Sequence, residues 1–159
     1  MSQNEAFETK LALLQEILDK KHAALVGVLN ISENQETLYL SPPSQERREF
    51  LMEMGKEKQR QIDEVMTYDE VFQRVYDSIA EEFAEKGAAY KERVRKLQSS
   101  INEVLQLDVK IRAQEEKGKI AASVNFAQKS SQADVNPANT NYILSRYKEA
   151  SKNRPQSLE

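Results

Sequence analysis

Apolar residues recur along the first part of the chain at the spacing of a helix with one buried stripe. Over residues 5–39 they stand at Phe7, Leu11, Leu14, Leu18, Leu25 and Leu29. Steps of three, four and seven residues keep such side chains on one face of an α-helix. The helix is predicted to end at the SPPS of residues 41–44, because its prolines cannot continue the hydrogen-bonded ladder. Ser44 is of a residue type favoured at the N-cap, so we expect it to begin the next helix.

A second apolar stripe follows this break. It consists of Leu51, Met54, Ile62, Val65, Phe72, Val75, Ile79 and Phe83. Lys58 occupies a position where the stripe needs an apolar residue, and we expect its methylene stem to cover the gap while its amine reaches water. Either Thr67 or Asp69 could cap a new helix, but no glycine or proline interrupts residues 66–70. We therefore predict one continuous helix, with its break at Gly87, which is placed like a C-cap glycine.

The third stretch, residues 88–117, has the most regular pattern. Its stripe is Tyr90, Val94, Leu97, Ile101, Val104, Asp108 and Ile111. Asp108 is the one polar member; we expect it to be solvated near the helix end, with a buried, register-fixing group as the alternative. One-striped helices must bury their stripes against each other, and short connections make neighbours antiparallel. The sequence thus predicts an all-α fold, with residues 1–117 forming an elongated antiparallel bundle or coiled coil of three long helices.

Residues 118–159 have a different character. They are small and polar, with no sustained period and a proline at 137. Such a segment buries too little surface to offset its ordering entropy, so we expect a mobile C-terminal tail. Within it, Tyr142, Ile143 and Tyr147 recur at helical spacing, which predicts a short amphipathic helix. That helix either caps the bundle of its own chain or is recognised by another protein, and physical reasoning alone leaves the two nearly even.

Composition narrows the function classes. The chain has no cysteine, which excludes disulfides and cysteine-ligated metal sites. Charges of both signs are interleaved and sum to −3, which disfavours nucleic-acid binding through a basic stripe. The longest apolar run, residues 23–29, is too short to span a bilayer, and the N-terminus lacks a signal-peptide pattern. We therefore expect a cytoplasmic protein that binds neither nucleic acid nor membrane.

Candidate catalytic groups are few. His22 is the only histidine, and with Asp19 it supplies at most two metal ligands, so we expect a surface histidine and no metal site. The acidic pairs at residues 81–82 and 115–116 each point in different directions around a helix, and we expect both to be solvated. No glycine-rich phosphate loop or nucleophile elbow is present. The sequence predicts no enzyme, no catalytic residue and no cofactor, which leaves partner binding.

Part of the chain resembles a known family. Residues 62–119 contain an IDEV…YDEVFQRVYDSI block followed by AAYKERVRKLQSSINEVLQLDVKIRAQEEKGK. This stretch resembles the middle of small bacterial flagellar proteins of the FlgN and FliT export-chaperone type. Gly118 stands where the family pattern has a polar residue, and the YILSRY of residues 142–147 is only loosely similar to the tyrosine-bearing end of the family.

The resemblance implies a specific function. Such chaperones are cytoplasmic, non-enzymatic and helical. They bind unexported hook–filament junction or cap subunits through a C-terminal segment that is disordered until bound, and they deliver them to the flagellar type III export apparatus. Carried over to this chain, the client-binding anchors are Tyr142, Ile143, Leu144 and Tyr147, with Phe126 as a weaker candidate. The alternative is a structural coiled-coil adaptor whose tail packs on its own bundle, and in either case a homodimer is conceivable.

Overall fold

The computed structural model describes residues 3–128, with side chains described for residues 5–124. The long α-helices are α1 (Gln3–Tyr39), α2 (Gln45–Lys86) and α3 (Lys91–Gln128), and a 3-10 turn (Gly87–Tyr90) joins α2 to α3. No strand occurs in these residues, which confirms the all-α prediction.

The break between α1 and α2 lies at the predicted prolines. Ser44 has an extended backbone, with φ −160°, and its hydroxyl accepts a hydrogen bond of 3.0 Å from the amide of Arg47. The guanidinium of Arg47 turns back and donates to the carbonyl of Ser41 at 2.7 Å. The N-cap prediction for Ser44 is therefore confirmed. Arg47 stabilises the connection between α1 and α2, because its side chain donates a hydrogen bond to a carbonyl of the loop.

Helix α2 runs without interruption through residues 66–70, as predicted. It ends at Gly87, also as predicted, but the backbone there is right-handed, with φ −54°, and the amide of Gly87 donates to the carbonyl of Phe83. The chain thus tightens into a 3-10 turn before α3 begins at Lys91. A left-handed glycine cap is not used, so the freedom of glycine at positive φ plays no part here.

Helix α3 continues beyond the predicted end at Lys117. It passes through Gly118 and reaches Gln128. A glycine inside a helix costs only about 1 kcal/mol relative to alanine, and no proline occurs between Gly118 and residue 137. Packing also favours the continuation, since Ala121 is buried with Tyr39 and Leu51. The first part of the segment assigned to the tail is therefore helical.

Helix α1 lies between the other two. It has close backbone contacts along both α2 and α3, whereas those two helices approach each other closely at very few positions. Adjacent residues on α1, such as Ile17 with Leu18 and Ala24 with Leu25, are both buried. This widens the apolar face of α1 beyond a single stripe, so one helix can contact two neighbours.

The core consists of three apolar clusters along α1. One surrounds Phe7, Leu11 and Leu14, the next surrounds Leu25 and Val28, and a small one surrounds Tyr39. At the first, the Phe7 ring packs edge-on against Phe83 and Tyr90, with ring centroids 5.6 and 5.2 Å away. Burying a phenylalanine contributes roughly 1.5–3 kcal/mol, so this aromatic contact fixes the start of α1 to the α2–α3 connection.

Candidate partner-binding surfaces

The predicted client anchors fall mostly beyond the described part of the chain. Phe126 belongs to the last turns of α3. Tyr142, Ile143, Leu144 and Tyr147 lie outside the described residues. The assignment of client binding to these positions therefore stays a prediction.

An apolar groove lies between α2 and α3 and reaches the central helix α1 at its base. Its lining residues are Leu14, Phe72, Gln73, Tyr76, Phe83, Val94, Leu97, Gln98, Ile101 and Asn102. Leu14 of α1 forms the floor, aromatic side chains line the α2 wall, and aliphatic side chains line the α3 wall. The groove exists because α2 and α3 contact α1 rather than each other. Its mainly apolar lining suits apolar side chains presented by another helix.

The aromatic wall of the groove is partly open to solvent. The rings of Phe72 and Tyr76 stack nearly parallel, with centroids 6.5 Å apart, and Tyr76 contacts Phe83 at 5.6 Å. Tyr76 remains 39% exposed. A row of partly exposed aromatic side chains provides contact area and loses little conformational entropy on binding. Such a row is more typical of a binding surface than of chance exposure.

A charged cluster is buried between all three long helices. The Lys58 amine of α2 donates to the Glu115 carboxylate of α3 at 2.6 Å and to the Gln35 side-chain oxygen of α1 at 2.6 Å. The hydroxyl of Ser32 donates to the same Glu115 oxygen at 2.5 Å. Lys58 is only 1% exposed. The prediction that its amine reaches water is therefore wrong.

The Lys58 cluster also corrects the expectation for the acidic pair at residues 115–116. Glu115 is buried and paired, while Glu116 is exposed, because neighbouring residues point about 100° apart around a helix. Burial lowers the pKa of the Lys58 amine, and the carboxylate of Glu115 opposes that effect. The cluster is enclosed by protein, so it stabilises a particular helix arrangement and offers no group to a substrate.

A second buried ion pair joins α1 to α2. The amine of Lys21 lies 2.5 Å from the carboxylate of Asp69, and both side chains are at most 3% exposed. The sequence pattern indicated Asp69 only as a possible cap and did not predict this pair. The signal was present, since Lys21 follows Leu18 by three residues and Asp69 follows Val65 by four, in step with each stripe.

The remaining polar candidates have ordinary environments. His22 is half-buried on α1, and its neighbour Asp19 accepts a hydrogen bond of 3.0 Å from Gln15. Asp108 is half-buried, nearer the interior than a fully solvated helix end would be. Within the described residues, no group of three or more potential ligands is placed to hold a metal ion.

None of the described helices contains an apolar stretch long enough to cross a bilayer. Comparison of the chain with protein-family models, with curated proteins and with solved structures found no match.

Proposed function

We propose that this protein is a non-enzymatic, cytoplasmic chaperone for flagellar type III export. The carrying observation is the open apolar groove between α2 and α3, which provides a place for a partner's apolar side chains. The flagellar assignment rests on the resemblance of residues 62–119 to the FlgN and FliT type. Clients would be unexported hook–filament junction or cap subunits, delivered to components of the export apparatus.

The proposed architecture is an elongated antiparallel bundle of three helices with a C-terminal client-binding tail. The helices have 37, 42 and 38 residues. At 1.5 Å per residue each is about 55–63 Å long. A long, thin body suits a chaperone that holds an extended or helical segment of its client along its surface.

The client is proposed to contact the tail through Tyr142, Ile143, Leu144 and Tyr147, with Phe126 contributing from the end of α3. Large apolar residues at helical spacing give a short helix one binding face, and coupled folding and binding lets a mobile segment select its partner. Removing only the residues after Gln128 leaves every described helix in place.

The test is client capture from a flagellated cell by three forms of the protein: the full chain, a form ending at Gln128, and Tyr142→Ala/Tyr147→Ala. The end must be Gln128 rather than Gly118, because Gly118 and Ala121 are buried in the bundle. Leu158→Ala, an apolar change outside the motif, serves as the matched control. Both test variants should lose hook–filament junction and cap subunits that the control retains. Undiminished capture by the form ending at Gln128 would show that the tail assignment is wrong.

A second candidate is a structural adaptor whose tail packs on its own bundle, favoured by the same groove, which could hold Tyr142 and Tyr147. It predicts slow hydrogen exchange at residues 142–147 in the free protein. It also predicts that removing the residues after Asn136 lowers the melting temperature by several degrees, at roughly 2–4 °C per kcal/mol. Fast exchange at all of these amides would eliminate this candidate and leave the chaperone proposal standing.

A further inference from the structure

The last turns of α3 carry apolar side chains on the face turned away from the bundle. Val109, Ile120 and Val124 are 66%, 55% and 45% exposed. Ala113 is exposed as well. Steps of four, seven and four residues align these side chains along one outer stripe, about 22 Å long at 1.5 Å per residue. We call this set of residues the outer stripe.

On the inner face of the same turns, Ile111 is the last large apolar residue in the core, and the residues that follow it there are polar or small. Gln114 and Glu115 face the bundle, followed by Gly118 and Ala121. Glu115 is committed to the ion pair with Lys58. After Ile111 this part of α3 therefore has large apolar groups outside and polar or small groups inside, the reverse of an ordinary surface helix. The body of the protein does not use the outer stripe, so the stripe indicates a second contact.

Charge around the outer stripe identifies the kind of partner. The exposed cations Lys110, Arg112, Lys117 and Lys119 surround it. Glu116 is the single exposed acid from residue 109 to residue 124, which leaves a local net charge of four minus one, or +3. The chain as a whole has a net charge of −3. A basic apolar surface on an acidic protein favours an acidic apolar partner through electrostatic complementarity.

We propose that the outer stripe binds an amphipathic helix of another protein, one whose apolar face is flanked by Asp and Glu. The ridges of Val109, Ala113, Ile120 and Val124 match the side-chain spacing of a facing helix. Acidic side chains on that helix pair with the cations along both edges.

Other occupants fit the surface less well. A second copy would bring one +3 surface against another. Residues 129–159 of the chain itself carry five Lys/Arg and three Asp/Glu, so they are also basic. A membrane-surface helix usually presents Trp, Phe or Leu, whereas this stripe has only β-branched residues and alanine.

The site goes beyond the proposed tail function, because its residues differ from the tail anchors and it can be tested separately. The probe is a synthetic amphipathic helix of about 20 residues with leucines on one face and glutamates on both flanks. A second peptide keeps the leucines and replaces the glutamates with lysines. Binding of each peptide to the full chain is measured by fluorescence anisotropy at low salt. Helix content and melting temperature, measured by circular dichroism, check that each variant folds.

The Glu-flanked peptide should bind the full chain, and Ile120→Ser/Val124→Ser should weaken it by about tenfold or more. Leu13→Ser, an exposed leucine on α1, is the matched control and should bind like the parent. Lys117→Glu/Lys119→Glu should also weaken the Glu-flanked peptide and reduce its advantage over the Lys-flanked one. Tyr142→Ala/Tyr147→Ala should leave peptide binding unchanged, which separates this site from the tail.

Several results would overturn the proposal. Equal binding of the two peptides would remove the charge argument, and unchanged binding by Ile120→Ser/Val124→Ser would place the peptide elsewhere. Self-association that Ile120→Ser/Val124→Ser abolishes in sedimentation would make a second copy the occupant. Binding to vesicles of anionic lipid, lost in the same variant, would assign the stripe to a membrane surface.

Discussion

Removing the Lys58 amine tests whether the buried charged cluster holds the three helices together. Lys58→Met keeps the length and most of the volume of the side chain but leaves the Glu115 carboxylate buried without its cation. Ser32 still donates to that carboxylate at 2.5 Å, which is weak compensation for a full charge. The complementary change, Glu115→Gln, leaves the ammonium without its anion.

The expected loss is large because one half of a buried pair is left behind. Breaking such a pair costs about 3–5 kcal/mol, a considerable part of the roughly 5–15 kcal/mol by which a domain is stable. The double variant Lys58→Met/Glu115→Leu removes both charges, and Ser32 can still donate to the Val28 carbonyl at 2.9 Å. The side-chain oxygen of Gln35 then loses the hydrogen bond from Lys58, at about 1–3 kcal/mol. The double variant should therefore be more stable than either single variant.

Urea unfolding followed by circular dichroism measures these differences. At a slope near 2 kcal/mol per molar urea, a loss of 3–5 kcal/mol moves the midpoint by roughly 1.5–2.5 M. Lys20→Met is the control, because the Lys20–Glu16 pair is 57% and 59% exposed and should contribute less than about 1 kcal/mol. If Lys58→Met loses no more than this control, or if the double variant loses the sum of the single losses, the amine is solvated and the buried cluster is not a unit.

Three further changes test local features. Ser44→Ala removes the hydroxyl that caps α2 and should lower the free energy of unfolding by about 1 kcal/mol, so an unchanged urea midpoint would contradict the cap. Gly118→Ala should raise it by up to about 1 kcal/mol, because an added Cβ meets nothing within 4 Å; a lower melting temperature would show that the site is tighter. Burial lowers the pKa of Lys58 in the folded state below its pKa in the unfolded chain. At a pH between these two pKa values the unfolded chain binds more protons than the folded one, so the free energy of unfolding rises with pH. Subtracting the pH–stability curve of Lys58→Met isolates this rise, and a flat difference at alkaline pH would refute it.

Periodicity predicted much of the fold because the stripes are long and their interruptions are chemically clear. The prolines after Tyr39 and the glycine at residue 87 separate the helices in the structure as they do in the sequence. The predicted end of α3 was misplaced, because the residues after Gly118 have no buried stripe of large apolar side chains and are helical nevertheless. The apolar pattern of a sequence indicates which residues a segment buries, and the segment after Gly118 buries mainly Ala121.

The buried charges were missed for a different reason. Lys21, Lys58 and Asp69 occupy stripe positions, but average tendencies place such residues at the surface. Their partners lie on other helices, 48 residues away for Lys21–Asp69 and 57 for Lys58–Glu115. No rule of local spacing joins residues so far apart, so the helix alignment must be known before the pairs can be recognised. The outer stripe was missed because the pattern of α3 was attributed to its more regular inner stripe.

The position of the buried ion pairs indicates what they contribute. Lys21–Asp69 lies between the apolar clusters around Leu14 and Leu25, and the Lys58 cluster lies between those around Val28 and Tyr39. The apolar stripes alone would tolerate sliding one helix past another by seven residues, since leucines and valines repeat at that interval. A slide of that size would bury Asp69 and Lys58 against apolar side chains, at several kcal/mol per unpaired charge.

We therefore expect the charges to select one alignment of the helices rather than to add net stability. A variant with Lys21→Leu, Asp69→Leu, Lys58→Met and Glu115→Leu should keep its helix content but populate more than one alignment. Amide NMR spectra would then show several resonances for single residues, or broadened ones, where the parent shows one. The matched control replaces the exposed pair Glu16 and Lys20 with alanine and should give the parent spectrum. A single, well-dispersed set of resonances from the fourfold variant would show that apolar packing alone fixes the alignment, and the groove and outer stripe would then owe their positions to shape rather than to buried charge.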